Sequence, residues 1–332
     1  MDPAVARLVE PIDGEHPCGV DLEDTPLLAS FDAYRVFGQM TAPPGDIDWR
    51  EIRDKALEGL EQSRDLRLLS HLAAASLRTD GLQRFCDVLH VAARWLDDHP
   101  DHVFPRVDED AILRKNALNG FSDRMAIVDA VRRQPFVMHP QLGAFALRHF
   151  EIASGKLAPA EADGEPPTEA QLSATLEGAD GEKLVAMEAS LAAAVEGLRR
   201  VESSMRNAHG AEGTPEFEPL LGPLVQIHKL LADQLAARAA SAAPVEGAEA
   251  GAGGEPGAAA IIGVGSIRSR DDAMRALDAV AEFFRKNEPS SPLPMMVERA
   301  RRLIGKDFLE LLSDLAPDGL DQAKHVGGVR DE

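Results

Sequence analysis

The chain has 332 residues, of which 44% are hydrophobic, 27% are charged and 5% are aromatic, and its formal net charge is −21. No segment is basic overall, since 17 basic residues face 25 acidic ones in residues 1–150 and 11 face 13 in residues 266–332, which argues against a nucleic-acid-binding protein. Two cysteines, no apolar run long enough to span a bilayer and no secretory signal pattern lead us to expect a cytoplasmic protein without direct membrane insertion.

Residues 1–155 are predicted to form a helical N-terminal domain. Ala and Leu are abundant and alternating or β-branched runs are scarce, which favours an all-α fold for the chain. Asp48 is a predicted N-cap before the first amphipathic stretch, and Gly81 ends the second. Apolar residues recur at helical spacing in three stretches: Trp49, Ile52, Ala56 and Leu60; Leu66, Leu69, Ala73 and Leu77; and Phe85, Val88, Ala92 and Leu96.

Residues 168–240 are predicted to form a helical hairpin. Apolar residues spaced alternately by three and four form a heptad seam, which is typical of helices that pack side by side. The stretch from His209 to Pro215 interrupts the seam, and we predict that Thr214 caps the second helix with Pro215 in its first turn. The seam can pair within one chain or between two chains. Its members are Leu184, Met187, Leu191, Ala194, Leu198, Val201 and Met205, and then Phe217, Leu220, Leu224, Ile227 and Leu231.

A change of composition separates this hairpin from the C-terminal part. Residues 241–265 are rich in Ala, Gly, Pro and Glu, and they are predicted to be a disordered linker with a root-mean-square span of roughly 25–30 Å. The linker is either a spacer that lets two modules reach separate places or a neutral insertion, because added loop length is tolerated well. Residues 266–320 are predicted to be a helical oligomerisation module, and residues 321–332 a disordered tail.

Two helices are predicted in the C-terminal module, divided by a proline-rich run from Asn287 to Pro294. A module of about 55 residues buries only about 60% of its unfolded surface, so it is marginal alone. The last helix carries more large apolar residues than one partner helix covers, beside a cationic stripe. We therefore predict head-to-tail contacts between copies, which close into a ring when the rotation permits. The candidate interface is Phe284, Arg299, Arg302, Ile304, Phe308, Leu311, Leu312 and Leu315.

No sequence pattern points to catalysis or to a cofactor. The chain lacks the phosphate-binding loop, the dinucleotide fingerprint, the G-x-S-x-G elbow, and the H-E-x-x-H and paired C-x-x-C motifs. His99, His102, Asp108 and Asp110 are the best candidate metal ligands, but Pro100 breaks the helical geometry that a His-x-x-His pair needs. Solvated loop residues are the preferred interpretation. We therefore predict no catalytic residue, no cofactor and no metal site.

A series of short motifs runs through the first 120 residues, and a different motif lies near the C-terminus. Its N-terminal members are Pro11, Gly14, Pro17, Gly19, Asp21, Asp48, Trp49, Asp65, Leu66, Arg67, Pro105, Arg114 and Asn116. In this order and spacing they resemble the ImpA N-terminal domain of the TssA (ImpA) family of type VI secretion system assembly proteins. Pro289, Ser291 and Pro292 resemble the ending of the short, baseplate-type members of that family.

The resemblance implies a non-enzymatic assembly protein. Such a protein would form a ring through its C-terminal module, associate with the baseplate, and prime assembly of the sheath and inner tube, with baseplate, sheath and tube proteins as partners. Two alternatives stay open. One is a helical adaptor of another machine, for which a 34-residue repeat would be the signature, and the chain has none. The other is a cap on the distal end of the sheath, a role of longer relatives.

Overall fold

Helices account for nearly all of the regular structure that the coordinates describe. The computed structural model describes residues 3–43, 47–107, 111–160, 165–242, 270–287 and 292–303. The chain divides into two compact units, Met1–Glu246 and Gly247–Glu332. The predicted helical fold is confirmed, and one two-stranded sheet is the exception among the described residues.

The first unit is a stack of helices. In chain order these are α1 (Pro3–Ala6), α2 (Pro26–Ala29), α3 (Trp49–Leu60), α4 (Leu66–Thr79), α5 (Leu82–Asp98), α6 (Ile112–Asn119), α7 (Asp129–Arg133), α8 (Leu147–Ala153), α9 (Glu169–Gly178), α10 (Gly181–Gly213) and α11 (Glu218–Ala242). Short 3-10 turns at Arg7–Val9, Ser30–Tyr34 and Gly120–Ser122 and a π-helical turn at Arg124–Val128 complete the helical structure. Helices α3, α4, α5, α10 and α11 pack in that order, each against the next.

Helices α3, α4 and α5 begin and end where the local sequence predicts. The Asp48 carboxylate accepts two backbone N–H groups at the start of α3, and Asp65 accepts one at the start of α4. Gly81, with φ of 90°, turns the chain between α4 and α5. The predicted stripes of all three helices are buried, with Trp49 partly so. Local capping and helical periodicity therefore account for this part of the fold.

The heptad seam pairs within the chain. Helices α10 and α11 pack against each other, and α10 also packs against α5. The seam residues Leu191, Leu198 and Leu231 belong to the same buried cluster as the N-terminal stripes. The division of this unit into residues 1–155 and 168–240 stays a prediction, while the packing joins both parts around a continuous core.

The predicted start of the second hairpin helix is wrong. Thr214 is the C-cap of α10, and α11 begins at Glu218 rather than at Pro215. A tertiary contact keeps the intervening residues extended: the Glu216 N–H donates to Asn119 Oδ1 at 2.8 Å, and the Ser122 hydroxyl donates to the Glu216 carbonyl at 2.7 Å. These bonds occupy the backbone groups that a helix starting at Pro215 would have used.

The sheet is a hairpin of β1 (Pro135–His139) and β2 (Gly143–Ala146), which run antiparallel with an irregularity between Pro135 and Val137. Helix α9 packs against β1. Nothing in the sequence analysis predicted these strands. They are four and five residues long, so their alternation is too short to stand out from the helical pattern around them.

The second unit contains a helical hairpin of α12 (Arg270–Asn287) and α13 (Leu293–Leu303). The two helices pack together with Ala281 buried between them. Arg285 pairs with Glu298, and Arg301 Nε lies 3.2 Å from Asp278 Oδ1. Charge pairs thus join the two helices across the hairpin.

Several predicted features lie outside the described residues. These are most of the 241–265 linker, the 321–332 tail, and the C-terminal part of the last predicted helix. Among the described residues, none of the helices combines the length and the apolar character that crossing a bilayer requires.

Candidate functional site

Three backbone segments that are far apart in sequence meet at the N-terminal motifs. The Arg64 N–H donates to the Cys18 carbonyl at 2.8 Å, and the Val20 N–H donates to the Gln62 carbonyl at 3.1 Å. On the other side of the same segment, the Leu66 N–H donates to the Phe104 carbonyl at 2.8 Å, and the Phe104 N–H donates to the Arg64 carbonyl at 3.0 Å. The segment that leads into α4 is therefore held between the N-terminal loop and the loop after α5.

Gly19 permits the first of these contacts. Its φ is +70°, and a Cβ at this position would lie 2.1 Å from the Gln62 carbonyl oxygen and 2.7 Å from Ile12 Cδ1. A side chain would thus force the two backbones apart, in a conformation that L residues rarely adopt. The close approach of these two backbone segments therefore requires glycine at this motif position.

Arg114 holds the loop that follows α5. Its buried guanidinium donates to the carbonyls of Pro100, Val103 and Pro105 at 2.7, 2.7 and 2.9 Å. Three carbonyl oxygens at fixed positions match the planar fork of a guanidinium, which a lysine would not reproduce. The motif arginine on α6 is therefore a clamp for the loop that contains the motif proline.

Asp65 and Arg67 form an ion pair within the motif that starts α4. Arg67 Nη2 lies 2.7 Å from Asp65 Oδ2, and the same guanidinium pairs with Glu23 and approaches Asp21 at 3.9 Å. Burial raises the pKa of the Asp65 carboxyl to about 7, and the guanidinium beside it favours the charged form. The charges of this motif are therefore paired within the chain.

A groove opens beside these contacts, and we call it the motif groove. It is lined by Arg67 and Ser70 of α4, Asn116 of α6, Pro105 and the loop residue Asp123. Its volume is about 580 Å³. One end is aromatic: the His71 ring lies between the rings of Phe31 and Phe37, each 4.7 Å away between centroids. The other end is bordered by Leu113, which is 59% exposed.

The remaining N-terminal motif residues do not line the motif groove. In the first loop, the Ile12 N–H donates to the Pro17 carbonyl at 2.9 Å, and Pro11 and Gly14 lie in the same loop. Leu66 is buried in the core. Asp48 and Trp49 lie at the start of α3 and do not line the motif groove. The Arg78 guanidinium lies over the Trp49 ring, 4.0 Å from its centroid.

The candidate interface residues fall partly within the described C-terminal hairpin. Phe284 on α12 is half-buried, while Arg299 and Arg302 on α13 are exposed. Pro292 directly precedes α13, and its carbonyl accepts the Met296 N–H. The rest lie outside the described residues, and these are Pro289, Ser291, Ile304, Phe308, Leu311, Leu312 and Leu315.

The metal candidates form no described site. His99 is the C-cap of α5, and its carbonyl accepts the His102 N–H at 3.0 Å. Asp108 and Asp110 lie outside the described residues. Within the described ranges, no group of three His, Cys, Asp or Glu residues is placed to hold a metal ion.

The aromatic end of the motif groove was missed by the sequence analysis. Phe31, Phe37 and His71 belong to three different segments, and none of them falls in a recognised motif. The only local signal was the position of His71 on the apolar side of α4, which is more often a sign of core packing than of a site. Tertiary structure alone brings the three rings together.

His71 makes the stability of the first unit depend on pH. Burial lowers its pKa from 6.5 to about 4, so between these values the unfolded chain binds a proton that the folded chain does not. The contribution of His71 to the free energy of unfolding should therefore decrease as the pH falls through this window, by up to about 1.4 kcal/mol per pH unit. Urea titrations followed by tryptophan fluorescence measure it, because Trp49 and Trp95 both lie in the first unit.

The control separates His71 from the acidic residues that also titrate. His71→Leu should lack this contribution, so the difference in free energy of unfolding between the variant and the wild type should change by about 3 kcal/mol at most between pH 6.5 and 4. His102→Gln, which changes an exposed loop histidine, should leave the wild-type slope. Equal slopes for the wild type and His71→Leu would contradict the assignment.

The comparisons with known proteins agree with the motifs. A family model described as "ImpA, N-terminal, type VI secretion system" matches residues 9–143. The chain is 30% identical, over 349 aligned residues and 99% of both chains, to "Type VI secretion system component TssA1" of Pseudomonas aeruginosa.

A solved structure is similar in fold to most of this chain. It is the N-terminal domain, including the conserved ImpA_N region, of the TssA component of the type VI secretion system from Burkholderia cenocepacia. The TM-score is 0.54 at 22% identity, and the likeness covers 71% of this chain and 95% of that one. This match supports the fold, and the relative that is similar along the whole of both chains shows the family. The chain belongs to the TssA (ImpA) family of type VI secretion system components.

Proposed function

We propose that this chain is a non-enzymatic, cytoplasmic assembly component that forms a ring, associates with the baseplate and primes assembly of the sheath and inner tube. The observation that carries the proposal is the 30% identity to a type VI component over 99% of both chains. Coverage of both full lengths supports the short, baseplate-type role over a distal sheath cap, because a longer relative would leave unmatched sequence. Baseplate, sheath and tube proteins are the proposed partners.

The surface of the C-terminal hairpin supports ring formation. Phe283, Met295 and Met296 are 57%, 70% and 65% exposed in a hairpin of only 18 and 11 residues. Such a density of exposed apolar side chains on a small unit is typical of a surface that another chain covers. The proposed interface adds Phe284, with Arg299 and Arg302 at its rim. Asp278 already pairs with Arg301 in the same hairpin, which makes it less available to a neighbouring copy.

Two substitutions of matched exposure test the ring. Met296 on α13 and Met138 on β1 are 65% and 69% exposed. Met296→Glu should disrupt the assembly, because it buries a carboxylate in an apolar interface, while Met138→Glu should leave it intact. Light scattering on the full chain at tens of micromolar measures the mass. A wild-type monomer, or an intact assembly in Met296→Glu, counts against the proposed interface.

The place in the machine is tested by co-purification. The wild-type chain, tagged in its own bacterium, should bring down sheath and baseplate proteins, and Met296→Glu should bring down less of them. Recovery of neither class of protein with the wild-type chain would count against the proposed function.

A further inference from the structure

We propose that the motif groove binds an arginine side chain presented by a partner protein. The inference rests on the proposed function in one respect, that the partner is another component of the same assembly. The binding chemistry itself comes from the groove: its charges, its aromatic end and an unsatisfied polar atom.

The charged side chains that line the groove are mostly acidic. Its lining contains the carboxylates of Glu23, Asp32 and Asp123 and one guanidinium, that of Arg67. Arg67 is already neutralised by its ion pairs with Glu23 and the buried Asp65. The exposed Asp32 carboxylate makes no hydrogen bond or ion pair with the described residues, which leaves it able to accept a cation.

Asp123 supplies a fixed second carboxylate. Its Oδ1 accepts the N–H groups of Met125 and Ala126 at 3.0 and 2.7 Å, and its Oδ2 accepts the Gly38 N–H at 2.8 Å. Backbone donors hold the carboxylate in place, and its two oxygens have more acceptor sites than these three bonds occupy. Two carboxylates therefore favour a cation in the groove, and Asp123 needs no rearrangement to receive it.

The aromatic end suits the flat face of a guanidinium. The rings of Phe31 and Phe37 flank His71, tilted by 40° and 51° to its plane, and Phe37 is only partly buried. A guanidinium stacks on such a ring through a cation–π contact.

His71 adds an acceptor that the folded chain leaves unused. Its Nδ1 is buried without a hydrogen-bond partner. Because burial lowers the His71 pKa to about 4, the ring is neutral at pH 7 and offers a lone pair rather than a competing charge. A guanidinium brings five N–H donors in a fixed fork, enough for two carboxylates and an imidazole, whereas an ammonium lacks the planar face.

The neighbouring surface defines the rest of the ligand. Leu113 also borders a second groove with Val20, which is 56% exposed. Arg106 lines that second groove, and its guanidinium lies over the Phe104 ring. The cation of the ligand therefore belongs at the Asp32 end, and an apolar residue beside it would pack on Leu113 and Val20.

The direct test uses the full chain and three labelled peptides. These are Ac-Gly-Leu-Gly-Arg-Gly-Leu-Gly-NH2 and its analogues with lysine or with citrulline, the neutral isostere of arginine. Fluorescence anisotropy at low salt should show the arginine peptide binding about tenfold more tightly than the citrulline peptide, with lysine between them. Equal affinity for arginine and citrulline would overturn the proposal.

A matched pair of variants separates the groove from the general acidity of the chain. Asp32→Lys should weaken binding of the arginine peptide by about tenfold or more. Glu58→Lys changes an exposed carboxylate on α3, outside the groove, and should weaken it less than twofold, since its charge is screened over distance. Equal losses of affinity in the two variants would show that peptide binding depends on net charge alone and would refute the site.

Co-purification distinguishes failure of the groove from failure of the proposed function. If the wild-type chain and Asp32→Lys recover the same type VI proteins in equal amounts, the groove proposal fails while the proposed function stands. If Asp32→Lys loses one of the partners that the wild type and Glu58→Lys retain, the groove is supported and that partner carries the arginine.

Discussion

Replacing Gly19 with alanine is expected to destabilise the first unit by about 4 kcal/mol. The left-handed backbone at φ +70° accounts for about 1–2 kcal/mol of this in an L residue. The rest follows because a Cβ 2.1 Å from the Gln62 carbonyl oxygen would force the two backbone segments apart. Separation weakens the bonds from Arg64 to Cys18 and from Val20 to Gln62, each worth about 1 kcal/mol.

Gly14→Ala is the matched control for this change. Gly14 lies in the same loop, and nothing lies within 4 Å of the Cβ that it would gain. Its effect should stay within about 0.5 kcal/mol. Urea unfolding followed by tryptophan fluorescence measures both variants. A loss of less than 1 kcal/mol in Gly19→Ala would show that the loop moves aside at little cost and that the contact does not hold the three segments together.

Replacing Arg114 with methionine should cost about 3–5 kcal/mol. Methionine keeps much of the apolar stem but removes three hydrogen bonds, which leaves the carbonyls of Pro100, Val103 and Pro105 without donors. Arg114→Lys should fall between the wild type and Arg114→Met, because one ammonium cannot reach three carbonyls in a planar arrangement.

The control for the arginine is Arg94→Met. Arg94 pairs with Asp98 one turn along α5, and both side chains are exposed by more than a third, so its loss should change stability by about 0.5 kcal/mol or less. Hydrogen exchange adds a local measurement. In Arg114→Met the amides of Leu66 and Phe104, which join the α4 segment to the clamped loop, should exchange faster than those in the middle of α10. Unchanged exchange at both amides would contradict the clamp.

The burial of Asp65 explains why the α4 motif includes an arginine two residues later. An aspartate N-cap is usually solvated, and its charge interacts favourably with the helix N-terminus. Here the carboxylate is removed from water, which raises its pKa to about 7, while the backbone N–H groups of the first turn and the adjacent Arg67 guanidinium favour its charged form. The motif therefore combines a capping residue with its own counter-ion.

Local sequence patterns predict helices α3, α4 and α5 and their buried faces. Capping at Asp48 and the turn at Gly81 involve residues within a few positions of each other. The stripes of α3, α4 and α5 follow from the helical repeat alone. These features depend on residues that are close together in sequence, so the local sequence is enough to predict them.

The start of α11 shows where local reasoning fails. Thr214 and Pro215 satisfy every local rule for a helix start, yet Asn119 and Ser122 bind the backbone of Glu216 from about 95 positions away. The β-hairpin is a second case, since its strands are too short to be recognised by their pattern and α9 packs against β1. In both cases long-range contacts override or supply what the local sequence leaves open.

The motif site was identified by sequence as a set of residues, but its construction was decided by the tertiary structure. The motifs named Gly19, Arg67 and Arg114 without indicating that one permits backbone contact, one neutralises a buried carboxylate and one clamps a loop. Nor did they indicate Phe31, Phe37 and His71, whose rings meet only when α4 packs against the N-terminal turns. The family and the buried helical faces can therefore be predicted from short stretches of sequence. The groove forms only when segments distant in sequence pack together, because no single segment contains its shape and charge.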